Sequence, residues 1–151
     1  MQFQFDLLRQ TRQNVQSIID QYDLDALNHI PTGFNNNLIW NFGHIVITQQ
    51  RLCYKLSGQP MLHSDELDAK YAKGSRPEQA VSQEELDLLR KISKEGIDQL
   101  SIDYQNERFK AFKTYPTSFG IPLNTIEQAI AFNNVHEGLH LGSIMAIRKH
   151  L

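Results

Sequence analysis

The sequence predicts an all-α protein: a four-helix bundle with a long connector between helices two and three and an irregular or hairpin segment before helix four. Apolar residues recur at helical spacing in four long stretches. Capping residues stand at the head of three of them, and breaks rich in Pro and Gly fall between them. A chain of 151 residues suits one domain, residues 1–151. It shows no internal repeat and no low-complexity tract.

The first helix is expected from about Phe5 to Leu27, with Leu8, Val15, Ile18, Ile19 and Tyr22 on one stripe. Pro31-Thr32-Gly33 breaks the chain. The second helix starts near Asn36 or Asn37, either of which can cap it, and runs to about Leu56. Its apolar residues, among them Leu38, Trp40, Phe42, Ile45 and Leu52, surround most of its circumference. Such a helix is buried, or has one side in a subunit interface.

Ser57-Gly58-Gln59-Pro60 ends that helix, and a polar connector with room for a short helix at Asp65 to Ala72 extends to about Val81. A connector of this length can cross the end of a bundle, so the helices it joins need not be hairpin neighbours. The third helix opens on the capping-box pattern Ser82-Gln83-Glu84-Glu85 and fades near Tyr104. Gly96 weakens it locally. Residues 107–122, rich in aromatics, Pro and Gly, are irregular or hairpin-like. The fourth helix opens at Asn124-Thr125-Ile126-Glu127 and reaches almost to Leu151.

Composition narrows the function. A net charge of −2 without an evident basic face argues against a nucleic-acid partner. No apolar run approaches the ~18 residues a membrane span needs, and the N-terminus lacks the pattern of a signal peptide. Cys53 is the one cysteine. No internal disulfide can form, which fits a reducing cytoplasm. A domain of this size buries a core without a structural metal, so a bound metal would serve function.

Chemistry concentrates in the histidines. His136 and His140 stand four apart, one above the other on a helix face, and can reach one ion at about 2.0–2.1 Å. At ~100° per residue, Ala129, Asn133, His140, Ser143, Ile144 and Ile147 share the direction of His136, so this stripe is expected to face inward. Two buried imidazoles need partners for their ring nitrogens, and a metal ion satisfies one on each. His44, flanked by Trp40, Phe42 and Ile45, is the natural third ligand. Asn41 and Thr48 share its face and are placed to hydrogen-bond its other ring nitrogen. Gly43 lets a neighbour approach closely.

A lone buried histidine is ordinarily a hydrogen-bonded core residue. An inward pair with a buried third is the pattern of a metal site, and three protein ligands leave positions for water or substrate.

His136-Glu137-Gly138-Leu139-His140 also matches the short signature H-E-x-x-H, in which Glu137 would be a general base for metal-bound water. The bland alternative is a carboxylate at the helix edge. A protease is not expected, because the chain has no evident sheet to form a peptide cleft. His29, His63 and His150 lie at a helix end, in the connector and at the C-terminus, where solvated roles are expected. Cys53 falls on the side of its helix opposite His44, as a small apolar residue rather than a ligand.

Three stretches carry a resemblance: Ile39-Trp40-Asn41-Phe42-Gly43-His44-Ile45, Tyr71-Ala72-Lys73-Gly74-Ser75-Arg76-Pro77, and the most specific, His136-Glu137-Gly138-Leu139-His140-Leu141-Gly142-Ser143-Ile144. In their order and spacing they resemble the DinB-like superfamily of small four-helix-bundle metalloproteins, over nearly the whole chain. The resemblance implies that His44, His136 and His140 bind a divalent metal, commonly zinc or nickel. It also implies a homodimer, with which the all-round apolar second helix and the off-core Leu141 and Met145 agree. Characterised relatives include S-transferases that use bacillithiol, mycothiol or glutathione, and a mycothiol-dependent isomerase.

The leading expectation is therefore a metal-dependent enzyme transferring a low-molecular-weight thiol to an electrophilic small-molecule substrate. The alternatives are a metal-dependent hydrolase assisted by Glu137, and a non-enzymatic binding or interaction module.

Overall fold

The computed structural model describes residues 1–151 and is an all-α bundle with one two-stranded hairpin. Its long helices are α1 (Gln2–Ile19), α3 (Leu38–Cys53), α5 (Gln83–Gln105) and α6 (Ile126–Ile147), and its short ones are α2 (Leu24–Asn28) and α4 (Asp65–Lys70). α3 packs on α5 and α6, and α1 packs on α6 and α5. α3 and α5 are thus neighbours despite the long connector between them. No helix is long and apolar enough to cross a membrane.

The helix starts follow their caps. The Asn37 side chain accepts the Trp40 N–H at 2.8 Å and donates to the Asn28 carbonyl, so Asn37 rather than Asn36 opens α3. Ser82 accepts from the Glu85 N–H and Thr125 from the Gln128 N–H. Where a long first helix was expected, the chain stops at Ile19 and restarts as α2. Asp23 causes the restart, because its carboxylate caps α2 at the Ala26 N–H.

α4 spans Asp65–Lys70 behind a Ser64 cap. Residues 107–122 resolve to a hairpin in which β1 (Tyr115–Pro116) pairs antiparallel with β2 (Pro122–Leu123), with Tyr115 opposite Leu123. α6 ends at Ile147 and tightens into a 3₁₀ turn, Arg148–His150.

α3 is buried on nearly every side within this one chain, so its apolar circumference requires no partner subunit. Gly96 has a packing reason. A Cβ there would sit 3.0 Å from Gln50 Nε2 and 3.1 Å from Gln49 Oε1.

The apolar core falls into two clusters. One includes Val15, Ile45, Leu89 and Ile144, and the other includes Leu8, Leu52, Leu100 and Ile130. Buried polar residues from four helices lie between them in sequence: Arg12 on α1, Gln49 and Gln50 on α3, Ser93 on α5, and Asn133 and Glu137 on α6. The bundle thus carries a polar layer at mid-height, and the histidines stand beside it.

Candidate metal centre

Mid-helix positions on α3 and α6 bring His44, His136 and His140 together, with one ring nitrogen of each within 4.8 Å of the others. His44 Nε2 lies 3.2 Å from His136 Nε2. Nitrogens about 2.0–2.1 Å from a tetrahedral ion stand about 3.3 Å apart, so this spacing suits one.

The protein also sets two of the tautomers. His44 donates its Nδ1–H to the Tyr71 carbonyl at 2.7 Å, which leaves Nε2 as a lone-pair donor. His140 does the same through Asn41. The Asn41 amide nitrogen donates to Asn36 Oδ1 and the Asn37 carbonyl, so its oxygen is turned to accept from His140 Nδ1 at 2.8 Å. His136 Nδ1 is buried without a partner.

The Asn41 and Thr48 expectations need correction. The other ring nitrogen of His44 is held by Tyr71, not by either of them. Asn41 serves His140 instead, and Thr48 Oγ1 lies 3.4 Å from Nε2 of His44, the metal-facing nitrogen. The carbonyl of Tyr71 arrives from across the connector, a contact no local pattern announces. Gly43 admits it, because a Cβ at that position would overlap the Tyr71 ring. Trp40 stacks on His44 with ring centroids 4.8 Å apart.

Burial depresses all three imidazoles. His136 is pushed down to about 3, by desolvation first and then by His140, His44 and Arg12. His140 falls to about 4 through desolvation and the nearby His44. His44 is lowered mainly by desolvation, against the opposing Tyr71 hydrogen bond. Three neutral imidazoles with converging nitrogens are the donor set that zinc or nickel accepts.

Neither expectation for Glu137 describes its place. It is not at the helix edge, for its exposure is 0%. Nor does it face the histidines. Arg12 Nε donates to Oε2 at 2.9 Å, a second Arg12 nitrogen reaches Oε1 at 2.5 Å, and Asn133 Nδ2 donates to Oε1 at 2.9 Å. The stripe turned to the core centres on Glu137, with Ala129, Asn133, Ile144 and Ile147 buried, while Ser143 is exposed and His136 and His140 stand at the stripe's flank.

That flank opens into a cavity of about 560 Å³ lined by the three histidines, Thr48, hairpin residues Tyr115, Thr117, Ser118 and Phe119, and α6 residues Phe132 and Leu139. Of the aromatics in residues 107–122, Tyr115 and Phe119 line it, whereas Phe109 and Phe112 pack against the core cluster that includes Leu8 and Leu100. Arg51, Lys55, Lys73 and Lys113 also line it. Sequence reasoning missed these cations because they come from three separate segments. His29 and His150 are exposed, His63 bonds beside itself at Ser64, and none joins the cluster. Cys53 is fully buried, and burial raises its thiol far above the ordinary range.

Packed helices with three converging histidines at the floor of a cavity define a helical-bundle protein with a candidate metal centre. The model of the DinB superfamily matches residues 7–144, and the chain belongs to that superfamily. A comparison with curated proteins finds no match.

Proposed function

We propose that this protein is a metal-dependent enzyme that transfers a low-molecular-weight thiol to an electrophilic small molecule. The observation that carries the reading is the open side of the histidine cluster. Three converging nitrogens have no fourth protein donor, and they border a cavity with room for a small substrate. A divalent ion held by His44, His136 and His140, zinc or nickel by donor type, supplies Lewis acidity that favours the thiolate form of a thiol.

The chain's own residues then have defined tasks. The Tyr71 carbonyl and Asn41 orient His44 and His140. Tyr115, Phe119, Phe132 and Leu139 give the acceptor an apolar wall and exclude water from the reacting atoms. The thiolate sulfur forms a bond to the electrophilic carbon, the leaving group departs with its electron pair, and the thiol proton passes to solvent. Such transfer needs no carboxylate base. Hydrolysis assisted by Glu137 would need one in the cavity, and Glu137 is occupied by Arg12 and Asn133. That difference favours transfer.

The cytoplasm, with its reduced thiol pool, is the compartment this chemistry suits. Pairing of two copies draws support from Val135 and Met145, which are exposed along α6, whereas Leu141, expected off the core, packs against it.

The test begins with metal content by elemental mass spectrometry on untagged protein, beside His44→Ala and His136→Ala variants shown to be folded by circular dichroism. Near one equivalent in the wild type, lost in both variants, is expected. Thiol-dependent turnover of monochlorobimane above a metal-free control should follow. No metal in the wild type after incubation with zinc, nickel or manganese would make the histidines core residues and overturn the reading. A loaded site inert with every thiol would overturn the transfer step alone.

A further inference from the structure

The charges around the cavity say what kind of molecule enters it. Four cationic side chains line it, Arg51, Lys55, Lys73 and Lys113, and no aspartate or glutamate does. The chain as a whole is acidic, with a net charge of −2, so this is a local concentration of one sign. Asp68 is the single carboxylate that answers it. Asp68 holds Arg51 through both oxygens, at 2.5 and 2.8 Å, and reaches Lys55 at 3.1 Å. One negative charge is therefore shared between two positive ones.

Lys73 and Lys113 form no ion pair at all. They come from different parts of the chain, Lys73 from the connector after α4 and Lys113 from the segment before the hairpin, where its backbone N–H is anchored on the Leu56 carbonyl at 2.7 Å. Exposed lysines left unpaired at a cavity mouth focus a positive potential into it. Beside the histidines, Thr48, Thr117 and Ser118, the lining has an apolar part made of Leu52, Leu56, Tyr115, Phe119, Phe132 and Leu139.

We infer that the cavity selects a small organic anion, a molecule with an apolar body that lies on the hairpin and α6 and a carboxylate, sulfonate or phosphate group that Lys73 and Lys113 hold. The inference rests on the proposed function in taking this cavity as the substrate site. It adds that substrate choice is made by charge, and that Lys73 and Lys113 make it.

The test compares three probes of one shape by calorimetric titration: 2-naphthyl phosphate, naphthalene-2-sulfonate and the neutral methyl 2-naphthyl sulfone. Chelator-treated protein is used, so that no probe binds through a metal. Both anions should bind the wild type about tenfold or more tighter than the sulfone, the scale of two modest charge contacts. In the folded Lys73→Gln/Lys113→Gln variant that preference should collapse to about twofold, with sulfone affinity unchanged. Raising salt on the wild type should shrink the preference without any substitution, which keeps the test decisive if the double variant misfolds.

Equal binding of anion and sulfone, or a preference that survives both the lysine substitutions and high salt, overturns the inference. Metal content of the same preparations keeps the two readings apart. A loaded site without anion preference removes this inference and leaves the proposed function standing. Anion preference without metal does the reverse.

Discussion

Two neighbouring residues on α6 sit in opposite situations. Glu137 lies at the centre of the bundle with both oxygens bonded, and its partner Arg12 spends a further N–H on Ser93 Oγ at 3.1 Å. His136, one residue earlier and ~100° around the helix, turns a nitrogen toward two other imidazoles and a cavity. The first cluster is closed, so it can hold helices but cannot meet a substrate. The second is open, so it gains little for the fold while metal-free and is free to bind. An H-E-x-x-H string compresses both into five letters. The fold separates them into a clamp between α1 and α6 and a site between α3 and α6.

The largest expected effect breaks the clamp. Glu137→Ala leaves the Arg12 guanidinium buried without its carboxylate, and should cost about 3–5 kcal/mol of stability. Urea denaturation of metal-free protein measures it. His136→Ala, measured the same way, should cost far less while abolishing metal binding. An apolar double replacement, Arg12→Met with Glu137→Leu, should recover most of the loss, because it removes both charges together. If Glu137→Ala is as stable as the wild type but binds no metal, Glu137 belongs to the open cluster and the comparison fails.

Gly43→Ala acts on the open cluster through its support. The added methyl overlaps the Tyr71 ring, and overpacking of this kind costs about 1–3 kcal/mol. Displacing Tyr71 also displaces the carbonyl that holds His44 Nδ1–H, so metal affinity should fall about 10–100-fold in a competition titration with a chromogenic chelator. Unchanged affinity would mean that His44 is oriented by Trp40 stacking alone.

What the sequence shows of these two clusters is uneven, for physical reasons. The histidines are legible because i, i+4 spacing is a local property, and the caps at Asn37, Ser82 and Thr125 are local too. The role of Glu137 is not legible, because α6 is apolar on almost all sides and a helical wheel without contrast does not say which residue is central. A stripe centred on His136 takes in Ser143, which is exposed, and leaves Glu137 to one side, where the packing of α1 and α3 puts the deepest position. Arg12, distant in sequence, is the partner that makes a buried carboxylate tolerable, and no pattern near Glu137 announces it. The break before α2 is hidden for a similar reason: Leu24 and Leu27 continue the apolar period across it. Tyr71, Lys73 and Lys113 reach the site from irregular segments, where spacing carries no signal.

Asp68 sharpens the comparison with the smallest effect, because it is paired like Glu137 yet sits against the cations of the cavity. Arg51 first, and then Lys55, hold its carboxyl down at about 2 from an ordinary value of 3.8. A carboxyl depressed in the folded state contributes stability above its unfolded value, and the contribution is lost as pH falls through the folded one. The window is therefore pH ~4 down to ~2. The Arg51 and Lys55 side chains are 34% and 52% exposed, so solvent screens the pairs and the contribution should be about 1 kcal/mol. Asp68→Asn should lower stability by that amount at pH 7, and the gap from wild type should close by pH 2 in denaturation curves taken across the range. A gap of several kcal/mol at pH 7 would place Asp68 with Glu137, as a clamp rather than a screened pair at the cavity rim. A gap of zero would mean that Arg51 and Lys55 are in effect free, and that the positive charge facing the cavity is larger than one shared carboxylate allows.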